Sequence, residues 1–116
     1  MMIPKEAYQI CVQGGLIVGS MARKLATGKG KPKDIDILVP YEAWQRASVF
    51  IPMNAKPNAF RGFRFYSESK GNKWEVDVWP SSVEHYLSTC KSRHGSTIYV
   101  VDFISGLIMT SYRARL

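Results

Sequence analysis

The chain of 116 residues has two cysteines, two histidines and nine acidic side chains against sixteen lysines and arginines, and each shortage excludes a class of protein. Cys11 and Cys90 are too few and too far apart for a disulfide framework or a paired-cysteine zinc site, so two buried thiols in a reducing cytoplasm are expected. His85 and His94 have no partner at metal-ligand spacing and are read as surface or helix-end residues, with His94 beside Arg93 open to a contact with RNA. No apolar run approaches the roughly 20 residues that cross a bilayer, so no membrane partner is expected. The start, Met1-Met2-Ile3-Pro4-Lys5-Glu6, has no basic segment leading into an apolar one and does not read as a secretory signal. The glycine patterns of P-loop and dinucleotide-binding folds are missing, as are internal repeats and low-complexity segments. Neither cysteine sits in a nucleophile context.

What is present is cationic and ordinary in its apolar content. The net charge is +7, the isoelectric point about 9.6 and the hydrophobic fraction 46%, so the surface attracts anions, nucleic acid and nucleotides first among them. The length suits one domain over residues 1 to 116 with one core. Helical spacing of Ala7, Ile10 and Cys11 after Pro4 predicts a helix to Val12, ended by Gly14-Gly15. Leu16-Ile17-Val18 reads as a short buried strand, Met21 to Leu25 as a helix, and Thr27 to Pro32 as a basic loop. Asp34 to Val39 alternates as a strand and Pro40 opens a helix from Tyr41 to Val49. Residues 51 to 62, rich in Pro and Asn, read as a loop. Strands follow at Phe63 to Ser67 and Lys73 to Trp79, joined through Lys70-Gly71-Asn72. Ser81 with Glu84 has the form of a capping box opening a helix to about Lys91. Thr97 to Phe103 and Leu107 to Tyr112 read as a last hairpin around Ser105-Gly106. The fold class expected is α+β, a single mixed sheet with helices packed on it.

Chemistry concentrates in three segments. In Asp34-Ile35-Asp36-Ile37 a strand sends alternate side chains to opposite faces, so the two carboxylates share one face while the isoleucines turn to the core. Their Cα atoms lie about 6.6 Å apart at roughly 3.3 Å per residue, and carboxylate arms from that distance can converge on metal ions about 3.5–4 Å apart. Oxygen donors without imidazole or thiolate select magnesium or manganese. Trp74-Glu75-Val76-Asp77-Val78-Trp79 alternates likewise and offers a third acid from Glu75 or Asp77; the valines flanking Asp77 suit a central strand and favour it. Gly19-Ser20 stands where a strand ends and a helix begins, a place where backbone N–H groups can hold phosphate oxygens. Arg23, one turn along, can reach the same oxygens with its planar fork. Between 23 and 33 lie Arg23, Lys24, Lys29, Lys31 and Lys33 with no acid among them, a run that a solvated loop would also carry.

Val18-Gly19-Ser20-Met21-Ala22-Arg23, then Asp34-Ile35-Asp36-Ile37-Leu38-Val39, then Val76-Asp77-Val78 resemble, in order and in residue type, the nucleotidyltransferases of the DNA polymerase beta superfamily, above all its small single-domain members. The resemblance spans roughly residues 14 to 79 and implies a polymerase beta palm-like fold. It implies that Asp34 and Asp36 bind two metal ions, Mg²⁺ or Mn²⁺, holding an NTP, and that Asp77 binds the ion that activates the attacking hydroxyl. Gly19 and Ser20 would hold the β- and γ-phosphates, supported by Arg23. The expected reaction is in-line attack on the α-phosphate with loss of pyrophosphate, and the acceptor favoured by the basic balance is RNA, such as a tRNA end. A protein side chain is the alternative acceptor. A non-catalytic nucleic-acid- or partner-binding module, such as a toxin–antitoxin component, is the alternative role. Larger members attach a helical domain that helps select base and acceptor, whereas residues 80 to 116 are what follow the last acid here. The surface for nucleotide choice is therefore expected from a partner protein, a second copy or the acceptor. Trp44 and Trp74 are expected in the core and Trp79 beside the nucleotide.

Overall fold

The computed structural model describes residues 3–90 and 97–112, apart from the side chain of Tyr112. In chain order the elements are α1 (Lys5–Val12), β1 (Leu16–Val18), α2 (Gly19–Thr27), β2 (Asp34–Val39), α3 (Tyr41–Ala47) running into a single 3-10 turn (Ser48–Phe50), β3 (Lys56–Pro57), β4 (Phe63–Ser69), β5 (Asn72–Pro80), α4 (Val83–Thr89), β6 (Thr97–Asp102) and β7 (Leu107–Tyr112). The strands form one seven-stranded sheet in the order β3-β4-β5-β2-β1-β6-β7. β2 and β5 run parallel and every other pair is antiparallel. A parallel pair needs a long crossover, and the segment from α3 through β4 supplies it. The expected α+β class with one mixed sheet is what forms.

Alternation decides which side chains meet. Ile35, Ile37, Val39, Val76, Val78, Phe65, Ile17 and Val101 point to one face, where Ala7, Ile10, Cys11, Met21, Ala22, Ala43 and Ala47 from the three N-terminal helices cover them. Trp44 and Trp74 pack half-buried against this core, as expected. The opposite face is covered at one end, where Val18, Leu38 and Val100 carry Val83, Tyr86 and Leu87 of α4. The other end of that face holds the acids.

Several boundaries differ from the sequence reading. Helix α2 begins at Gly19 rather than Met21 and ends against Gly28, whose left-handed φ of 76° closes it. Lys24 donates from Nζ to the Gly28 carbonyl at 2.8 Å, so this cation closes the helix and is not free for a ligand. β3 was expected as loop; at two residues it has no periodicity to read, and Pro57 is tolerated because β3 is an edge. The cap of α4 is Ser82, not Ser81: the Ser82 hydroxyl accepts from the His85 N–H at 3.0 Å, while Ser81 donates to the Ser82 carbonyl. With serine at both positions only the backbone path decides which one caps. The expected extension of this helix to Lys91, with Arg93 and His94, lies outside the described residues. Cys11 is buried as expected, and burial with the nearby Asp102 charge pushes its thiol up to about 12, but Cys90 is only half-buried. No helix among the described residues is long and apolar enough to cross a membrane.

Candidate functional site

The parallel pairing of β2 with β5 sets Asp34 opposite Glu75 and Asp36 opposite Asp77. Four carboxylates thus share one face on two adjacent strands, in a two-by-two array that neither strand could form alone. Asp34 is exposed, Asp36 and Glu75 half-buried, and Asp77 is 4% exposed. Burial first, then the charges of Asp77, Asp34 and Glu75, raise the carboxyl of Asp36 from 3.8 to about 6, and Arg64 opposes them. Both candidates for the third acid therefore reach the face, and Asp77 is the one directly beside Asp36.

Gly19 leaves β1 next to this array, because Val18 pairs with Asp36. Its φ is 70°, and a Cβ at this position would lie 2.6 Å from Asp36 Oδ2. Only glycine permits both the left-handed turn and that approach. Helix α2 opens with no side-chain cap, so its first amides depend on other partners. Tyr86 of α4 lines the same cleft as Val18 and Asp36. Burial first, then a hydrogen bond with Cys90 and the charge of Asp36, hold that phenol well above its ordinary range, while the Gly19 backbone opposes them. Ser20 and Arg23 are exposed on the first turns of α2.

Sequence reasoning missed the partners of Asp77. Arg64 on β4 stands opposite it and donates from Nε to Oδ1 at 3.1 Å and Oδ2 at 3.3 Å, with Glu75 Oε2 3.6 Å away. Asn58 donates from Nδ2 to Asp77 Oδ1 at 3.2 Å. Tyr66 lies next along β4 and donates to Glu75 Oε1 at 3.1 Å. The alternation Phe63-Arg64-Phe65-Tyr66 contained the signal for Arg64 and Tyr66, since polar residues at every second position share a face. Asn58 gave no such signal.

Among the described residues no three His, Cys, Asp or Glu side chains stand gathered to hold a metal ion. The donor set nevertheless has the chemistry for Mg²⁺ or Mn²⁺: all oxygen, with like charges close enough to raise a carboxyl. Arg64 now supplies part of the positive charge such an array needs, and Asp77 would exchange that guanidinium for a cation.

A cleft of about 850 Å³ opens from Asp36 and Val18 toward the ends of β2 and β5, walled by Phe60, Arg61, Trp79 and Tyr86. Trp79 lies on the acid face, as alternation required, opposite Leu38. His85, exposed on the first turn of α4 as expected, and half-buried Cys90 also line the cleft. Lys29, Lys31 and Lys33 are exposed on the segment leading into Asp34.

No family model matches the chain, and no curated protein or solved structure matches it. The likeness to the nucleotidyltransferases therefore rests on this chain's own Gly-Ser turn and acids.

Proposed function

We propose that the protein is a metal-dependent nucleotidyltransferase of the polymerase beta palm-like type, transferring a nucleoside monophosphate from an NTP to a hydroxyl acceptor with release of pyrophosphate. The observation that carries this reading is the register that sets Asp36 beside Asp77 at the Gly19 turn. In this reading Asp34, Asp36 and Asp77 hold Mg²⁺ or Mn²⁺, which when bound neutralises the triphosphate and lowers the pKa of the attacking hydroxyl. Gly19 and Ser20 offer amides and a hydroxyl to phosphate oxygens at the opening of α2. Arg23 supplements them. The acceptor oxygen attacks the α-phosphorus, the bond to pyrophosphate breaks in line, and most of the rate comes from positioning and charge neutralisation. Exposed Arg23, Lys29, Lys31 and Lys33 favour RNA, such as a tRNA end, over a protein side chain as acceptor.

The Arg64–Asp77 contact favours a second reading, a binding module on the same fold in which an arginine permanently satisfies the third acid. Incubation with each α-labelled NTP, Mg²⁺ and either total RNA or cell lysate separates the two. Wild type is expected to transfer label, and Asp36→Ala and Asp77→Ala to abolish transfer. Wild type without transfer to any acceptor favours the binding module, and label surviving both substitutions rejects the assigned acids.

A further inference from the structure

Residues 58 to 62 make a loop whose hydrogen bonds tie it to the acid strand. Asn58 is the fastening. Its Oδ1 accepts from the N–H of Phe60 at 3.0 Å and of Gly62 at 2.9 Å, its own N–H donates to the Gly62 carbonyl at 3.0 Å, and Nδ2 donates to the Phe63 carbonyl and to Asp77. Gly62 presses so closely on β5 that a Cβ there would fall 1.9 Å from the Val78 carbonyl oxygen. Arg61 between them is held at a φ of 65°, a conformation that a non-glycine residue adopts at a cost. A connection that only joined β3 to β4 would need none of this.

The loop presents Phe60 and Arg61 to the cleft that opens from Asp36. Phe60 remains 54% exposed, yet its ring is fixed against Trp79 at a centroid distance of 5.1 Å, and Trp79 against Tyr86 at 6.4 Å. An exposed aromatic face on a rigid mount beside a phosphate-directed acid array is suited to stacking a flat heterocycle. Arg61 is exposed and, among the described residues, makes no ion pair.

We infer that the 58–62 loop is the nucleoside-holding wall of the donor site: the base of the NTP stacks on Phe60, backed by Trp79, while Arg61 provides a cation to the same cleft and Asn58 acts as the positioning residue. This rests on the nucleotidyltransferase reading, and it places base recognition inside this one domain instead of on a partner or second copy.

Calorimetric titration of the full chain with Mg²⁺ and no acceptor, using each of the four ribonucleoside triphosphates and inorganic tripolyphosphate in turn, tests it. At least one NTP is expected to bind about tenfold more tightly than tripolyphosphate, the difference that one stacked base contributes. Phe60→Ala should remove that difference and leave tripolyphosphate binding unchanged, and Phe60→Tyr should restore it. Asp36→Asn should weaken NTP and tripolyphosphate alike. If wild type binds NTP no better than tripolyphosphate, or Phe60→Ala keeps the preference, the assignment of the loop is wrong while the nucleotidyltransferase reading stands. If wild type binds neither, both fall together.

Discussion

On the helix-covered face of the sheet, Ile35, Ile37, Val76 and Val78 are at most 1% exposed, and one residue along the same two strands Asp34, Asp36, Glu75 and Asp77 hold the opposite face. The same hydrogen-bonded ladder therefore carries an apolar layer and an acidic one, separated by nothing more than the pleat. The apolar layer supplies the favourable burial. The acidic layer works against folding, because its carboxylates are crowded and partly desolvated; Arg64 and Asn58 meet the most buried of them. A site that keeps uncompensated charge at such a place is suited to receive a cation and a polyanion in turn.

The contrast between the two layers should be largest in simple truncation. Ile37→Ala is expected to lower stability by about 2–5 kcal/mol through lost burial and a cavity, whereas Asp34→Ala on the exposed end of the acid layer should stay within about 0.5 kcal/mol. Urea denaturation of the two variants measures this, and equal losses would mean that the layers are not energetically distinct.

A second test raises stability by altering the acid layer. Because Asp36 titrates near 6 in the fold and near 3.8 as a free carboxyl, the folded state holds more protons than the unfolded chain between those values. The stability that Asp36 contributes is thus fully present below about 4 and is lost as pH rises through about 6. Asp36→Asn should remove that loss, stabilising the metal-free protein at pH 7 to 8 by up to about 3 kcal/mol, with no gain below pH 4. Urea midpoints across this range report it, and a wild type that gains stability from pH 4 to 6 relative to the variant would contradict the crowding.

The smallest effect is expected at Arg64, whose side chain is 45% exposed. Arg64→Gln, whose amide can still donate to the buried Asp77 carboxylate, should change stability little while tightening Mg²⁺ binding, since Asp77 then has no guanidinium to give up. Looser Mg²⁺ binding in this variant would mean that Arg64 orients Asp77 for the ion instead of competing with it.

Much of this arrangement was legible in the chain. The alternation in 34 to 39 located β2 to the residue, the Lys70-Gly71 pair located the tight hairpin, and both acid pairs were assigned to the correct sides of their strands. The less legible parts have a common cause. Asn58 looks like any loop residue because its partners, Asp77 and Val78, are some twenty positions away. Tyr86 and His85 looked like ordinary helix residues until α4 folded back over Val18 and Leu38. The choice between Ser81 and Ser82 as cap depended on a backbone path that adjacent serines do not encode.

By itself, the sequence determined the local facts: which stretches alternate, where glycine lets the chain turn, and that Asp34 with Asp36 and Glu75 with Asp77 each share a strand face. Those follow from backbone geometry within a few residues. Tertiary structure decided that Asp36 lies beside Asp77 rather than Glu75, that Gly19 meets Asp36, and that Phe60 and Arg61 border the same cleft. Such contacts are fixed by a parallel crossover and by packing between distant segments, which local pattern does not specify.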